Sequence, residues 1–120
     1  MNKYLEKFRK YPSIADQIEK SIIEHEDVPD LVFMDIGRFI GENVEKISAT
    51  QVREIFILIE NGVSSEDEIV STVMATHLLE AFYNALCRID RSSNYARYVG
   101  GKSREYIEAY FLTPWGGIKC

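Results

Sequence analysis

The sequence predicts an all-α fold: a compact bundle of about five to seven helices around a central apolar helix at about residues 65–89, with stacked helical hairpins as a variant arrangement. Three observations predict it. Apolar residues recur at three- and four-residue intervals along most of the chain, which puts them on one helix face. Four capping signals divide the chain into helix-sized pieces. Finally, 120 residues, 46% of them hydrophobic and 28% charged, suit one domain with a sizeable core.

Residues 3–10 form the first predicted helix, with Tyr4, Leu5 and Phe8 at helical spacing. Tyr11-Pro12 ends it, because the residue before proline is pushed out of the helical region. Ser13 is the expected cap of the second helix, with Asp16 at the capping-box position and Ile14, Ile18 and Ile22 as the stripe. Pro29 suits the first position of a third helix, where its missing N–H costs nothing. That helix is expected to reach about Lys46. At 100° per residue Val32, Phe33, Ile36, Phe39, Ile40, Val44 and Ile47 share a face, and Asp35, Arg38, Glu42 and Glu45 fall opposite. Glycine weakens a helix by about 1 kcal/mol, so the pair Gly37 and Gly41, one turn apart, marks a close helix–helix approach.

Ser48 or Thr50 opens a fourth helix through Glu60, with Val52, Ile55, Phe56 and Ile59 inward and Ile57 outward. Asn61-Gly62 reads as its stop. Ser65, with Glu68 three residues on, reads as a capping box for the fifth helix. Its apolar positions, from Ile69 to Ile89, cover more than one stripe, so it should be touched on several sides. Thr72, Thr76, Glu80, Tyr83 and Cys87 form the strip left over. After Asp90 the chain turns polar, Gly100-Gly101 breaks it, and Ser103 caps a last helix carrying Tyr106, Ile107, Tyr110 and Phe111. The tail, Thr113-Pro114-Trp115-Gly116-Gly117, is rich in turn residues.

The net charge is −5 and unevenly spread. Residues 1–50 hold ten acids and seven bases, net −3; residues 51–90 hold seven acids and two bases, net −5; residues 91–120 hold two acids and five bases, net +3. Such a balance disfavours direct nucleic-acid binding and suits a basic protein partner; a solvated acidic face is the plainer alternative. Two clusters stand out: Glu24, Glu26, Asp27 and Asp30, and separately Glu60, Glu66, Asp67 and Glu68, which flank a tight interhelical turn. Capping accounts for part of the second cluster. The pattern of the chain leads to the expectation of neither a signal peptide nor a membrane-spanning run. Cys87 and Cys120 do not make a disulfide framework, so a reducing cytoplasm is the expected compartment.

No catalytic constellation is visible. There is no phosphate-binding glycine loop, no HExxH and no calcium-loop spacing, so no cofactor or metal is expected. His77, near Met74 and Ala81, reads as a packed core or boundary histidine, and His25, among acids, as a helix-end residue. Cys87 reads as an inert thiol, since no base or cation is placed to activate it. Tyr106, Tyr110, Phe111 and Trp115 crowd the end of the chain. Phe111 is expected to close the core, while Tyr110 and Trp115 could close it or anchor a partner.

Two stretches carry a resemblance. Val73-Met74-Ala75-Thr76-His77-Leu78-Leu79-Glu80-Ala81-Phe82 resembles an (I/V)AT-x-(F/L)LE-x-(L/F) helix. Tyr98-Val99-Gly100-Gly101-Lys102-Ser103-Arg104-Glu105-Tyr106, followed by Trp115-Gly116, resembles an LG-P-KS-x-x-Y…WG ending. Gly101 departs from the second pattern, standing where proline is expected. Together they resemble a family of small, acidic, helical bacterial immunity proteins of contact-dependent growth inhibition and polymorphic toxin systems. The resemblance covers the C-terminal half. It implies a non-enzymatic protein that binds one cognate toxin domain and blocks it. An acidic surface would cover the basic active site of that toxin, expected to be a nuclease because nucleases need cationic surfaces. The expected partner-binding residues are Glu60, Glu66, Asp67, Glu68, Glu24, Asp27, Asp30, Glu80, Tyr110 and Trp115. The alternatives are a helical adaptor with another partner, and an enzyme site built from Glu80, His77, Tyr83 and Cys87.

Overall fold

A computed structural model describes residues 2–26 and 28–116. Among the described residues seven α-helices follow one another: α1 Asn2–Phe8, α2 Pro12–His25, α3 Pro29–Glu42, α4 Ala49–Val63, α5 Glu68–Val73, α6 Glu80–Arg88 and α7 Gly101–Phe111. Short 3-10 turns occupy Val44–Lys46 and Ser93–Tyr98, and no strand occurs among the described residues.

The expected central helix is present with one unanticipated feature. A π-helical turn, Met74–Leu79, joins α5 to α6 in one continuous rod. Such a turn inserts a residue into the i→i−4 ladder and rotates everything beyond it. That explains the broad apolar coverage: Val70, Val73 and Met74 are buried before or within the turn, and Leu78, Leu79, Phe82, Tyr83 and Leu86 from its last residues onward. The Thr76 hydroxyl donates to the Thr72 carbonyl at 2.7 Å, adding a bond beside the altered ladder.

Several expected caps move. Ser13 does not cap α2; Pro12 occupies the first turn after Tyr11, and no side chain caps that end. Ser48 does cap α4, accepting from Gln51 N–H at 3.2 Å. Asn61-Gly62 does not stop α4, which runs to Val63. Gly62 lies instead against Met74, whose Cε would sit 2.5 Å from an added Cβ. Asp67, not Ser65, caps α5, its carboxylate accepting from Ile69 and Val70 N–H at 3.0 and 3.3 Å. The backbone of α7 begins after Gly100, and Ser103 is buried inside the first turn.

The core is one contiguous cluster, with Phe8, Ile14, Ile18, Phe33, Ile36, Leu78 and Phe82 fully enclosed. Its centre is the packing of α3 on the rod. A Cβ at Gly37 would lie 2.1 Å from the Leu78 carbonyl oxygen, and one at Gly41 would lie 2.6 Å from Ala85 Cβ. Only glycine permits that approach. Glu42 pairs with Arg88 and Glu45 with Arg91, at 3.8 and 3.2 Å. Sequence numbers therefore rise together along both elements, and α3 and the rod run parallel. Their N-terminal ends, at Pro29 and Glu68, lie at the same end of the bundle.

Candidate functional site

That parallel packing builds the most distinctive surface of the molecule. Glu24 in the last turn of α2, Glu26 just after it and Asp30 in the first turn of α3 flank one connection, and Glu66, Asp67 and Glu68 lie at the start of α5. All six are exposed. From the Gly37–Leu78 contact back to Asp30 and to Asp67 the helices extend by lengths differing by about 6 Å at 1.5 Å per residue. Two clusters distant in sequence thus share one pole. Ile23, Val28, Leu31 and Ile69 are exposed aliphatics beside the same two helix starts. Asp27 lies outside the described residues.

Not every expected carboxylate is free at this pole. Glu60 is spent inside the fold: its oxygens accept from Lys102 N–H (3.0 Å), Ser103 N–H (2.9 Å), the Ser103 hydroxyl (2.8 Å) and the Ser64 hydroxyl (3.2 Å). It caps the start of α7 from another helix. Burial works to raise its pKa, but the backbone bonds from Ser103 and Lys102 and the two hydroxyls outweigh it, so the carboxyl lies below its ordinary value. Asp67 is exposed yet committed to its own cap. Glu66 and Glu68 have no ion pair among the described residues.

The other expected partner residues separate. Trp115 is buried, not an exposed anchor. Its indole N–H donates to the Ser92 carbonyl at 2.9 Å, and its ring lies 4.5 Å from that of Tyr83 and 6.4 Å from that of Phe56. Phe111 closes the core beside Tyr83, as expected. Tyr110 remains exposed, stacked on Tyr106 at 6.1 Å and 9°. Glu80 is half-buried and accepts from the Tyr106 hydroxyl. Burial, then the bond to Glu80 and its charge, hold the Tyr106 proton well above the usual tyrosine range. A groove of about 430 Å³ opens beside this pair, between Thr72, Ala75, Thr76, Lys102 and Ala109.

The four residues of the alternative enzyme site are each engaged elsewhere. Tyr83 is fully buried instead of lying on the outer strip, because the π turn rotates it inward. Cys87 is half-buried on α6 and is not a free thiol. Cys120 lies outside the described residues. His77 is a boundary histidine, as expected. The Thr76 hydroxyl hydrogen is committed to the Thr72 carbonyl, so Thr76 Oγ1 accepts from His77 Nδ1 at 2.8 Å. His77 Nε2 faces Asp30 Oδ2 at 3.6 Å. A hydroxyl that accepts from histidine is not activated by it.

Asp35 is the chief surprise. Expected on the solvent face, it is buried and accepts from the Ser21 hydroxyl (2.8 Å), His25 Nε2 (2.8 Å) and Arg38 Nη2 (2.7 Å). Its sequence neighbourhood shows only the Arg38 pair, at i+3; Ser21 and His25 arrive from α2. Glu24, His25 and Asp35 place donor atoms within 4.8 Å of one another. Both Asp35 oxygens already accept hydrogen bonds, and the bonds from Ser21 and His25 tie α2 to α3.

The fold and these surfaces define an all-helical protein with an acidic pole. No helix among them is long and apolar enough to cross a membrane. No family model matches the chain, and comparison with curated proteins and with solved structures gives no match.

Proposed function

We propose that this protein is a non-catalytic binding protein of the immunity type, whose acidic pole covers the cationic active-site surface of a cognate toxin domain. A nuclease is the toxin class whose surface best complements it. The carrying observation is the parallel packing of α3 and the α5–α6 rod, which brings Glu24, Glu26 and Asp30 beside the end that bears Glu66, Asp67 and Glu68. An acidic pole opposite a basic active site raises the association rate and needs no turnover. Under this reading the protein acts in the cytoplasm of the cell it protects.

The test co-expresses the chain with a candidate toxin domain, purifies the complex and measures its binding kinetics. Glu66→Lys with Glu68→Lys should slow association roughly tenfold or more at low salt and change dissociation less. The effect should shrink as salt rises, because exposed charges are screened beyond about 8 Å at physiological ionic strength. Association that ignores both salt and these charges would refute the reading. Docking would then move to the groove beside Tyr106 and Tyr110, as for an adaptor with a different partner.

A further inference from the structure

The opposite end of the bundle has a different chemistry. There the 3-10 turn Ser93–Tyr98 folds against the turn Val44–Lys46 and the start of α4. Between them lies a cleft of about 440 Å³, with Glu45, Ile47, Val52, Tyr95, Arg97 and Tyr98 among its walls. That volume falls in the range of small-ligand sites, about 300–1,000 Å³.

Two guanidinium groups converge on one ring. Arg97 Cζ lies 4.9 Å and Arg53 Cζ 5.9 Å from the centroid of Tyr98, and Arg97 also donates to the Tyr98 hydroxyl at 3.0 Å. Neither arginine has a carboxylate within ion-pair distance among the described residues. Glu45, in the cleft wall, and Arg91 neutralise each other at 3.2 Å, which leaves Arg97 in the wall and Arg53 beside it over the Tyr98 ring as the cationic feature. Tyr95 stacks on Phe56 at 6.2 Å and 19°, which fixes its ring from the core side. Like charges gathered on one aromatic ring, in a chain of net charge −5, need an anion more than they need each other.

We propose that this cleft binds a small ligand carrying a phosphoryl group on a planar ring system, of the nucleotide class. The guanidinium fork matches phosphoryl oxygens in a bidentate manner, and tyrosine faces stack planar rings. The site lies at the far end from the acidic pole and does not depend on the toxin-binding reading.

The experiment titrates the full chain at low ionic strength with adenosine monophosphate, adenosine and inorganic phosphate, each followed by calorimetry and by tyrosine ring NMR shifts. Adenosine monophosphate should bind saturably, with adenosine and phosphate each at least tenfold weaker. Arg53→Gln with Arg97→Gln should weaken it at least tenfold. Both side chains are exposed, so the melting temperature should hold, and Arg97→Gln alone provides a second, milder variant. No saturable binding of the mononucleotide, or binding undiminished in the arginine variants, would overturn the site. Inorganic phosphate binding as tightly as the mononucleotide would overturn the ligand class.

Discussion

Single residues decide the two tightest features of the fold. At an exposed helical position, replacing glycine with alanine gains about 1 kcal/mol. At Gly37 the added Cβ would meet the Leu78 carbonyl oxygen at 2.1 Å, and backbone cannot yield as a side chain tip can. Overpacking of this kind costs about 1–3 kcal/mol or more, so Gly37→Ala should destabilise in chemical denaturation; a stabilised variant would contradict the packing of α3 on the rod. Asp35 is the second case. Asp35→Ala orphans the buried Ser21 hydroxyl and removes two bonds from cationic or ring donors, with an expected loss of about 1–3 kcal/mol. Glu60 adds a pH signature. Its carboxyl pKa is lowered from 4.5 in the folded state, so its contribution is present above the unfolded value. It is lost as pH falls through the lower folded value. Glu60→Gln should therefore flatten the acid limb of stability against pH, and an unchanged limb would show that the cap on α7 contributes nothing.

At the scale of elements, local signals fixed which segments are helical but not where they begin. Ser65 and Asp67 both precede α5, and both carry oxygens suited to capping. The backbone selects Asp67, while Ser65 Oγ accepts from the Asp67 N–H at 3.1 Å and braces the turn. Asp67→Ala should cost about 1 kcal/mol and Ser65→Ala clearly less, measured by thermal denaturation of both; the reverse order would restore the serine-capped reading. This distinction also matters for binding. Glu66 and Glu68 can be reversed without removing the cap, whereas Asp67 cannot. The π turn belongs to the same scale. Periodicity registers it only as an over-broad apolar stripe, because a one-residue insertion in the ladder leaves no compositional trace.

For the whole molecule, charge placement follows from topology. Because α3 and the rod are parallel, their acidic lead-in turns share a pole, while Arg53 and Arg97 gather at the other end. Acids at helix N-termini also favour the fold through the helix dipole, by about 0.3–1 kcal/mol per charge, so stability must be measured beside binding. If the pole acts as one field, reversing Glu24 and Asp30 should add to the effect of reversing Glu66 and Glu68 on association rate. Reversal of Glu42, at the far end, should leave that rate nearly unchanged. Equal effects from all three sites would reduce the pole to general net charge.

The sequence by itself determined the helical class, most helix bodies, the inward face of α4, most of that of α3, and the need for close approach at Gly37 and Gly41. These are matters of local periodicity and backbone freedom, written within a few turns of chain. Only the tertiary structure decided that Glu60 and Trp115 turn inward, that Tyr83 is buried, that Cys87 is not a free thiol, and that Asp35 meets Ser21 and His25. Each of those outcomes depends on which elements become neighbours and in which direction they run. A carboxylate beside a serine-bearing helix start is a cap, and the same carboxylate facing solvent is a binding charge; the residue type is identical and only its surroundings choose.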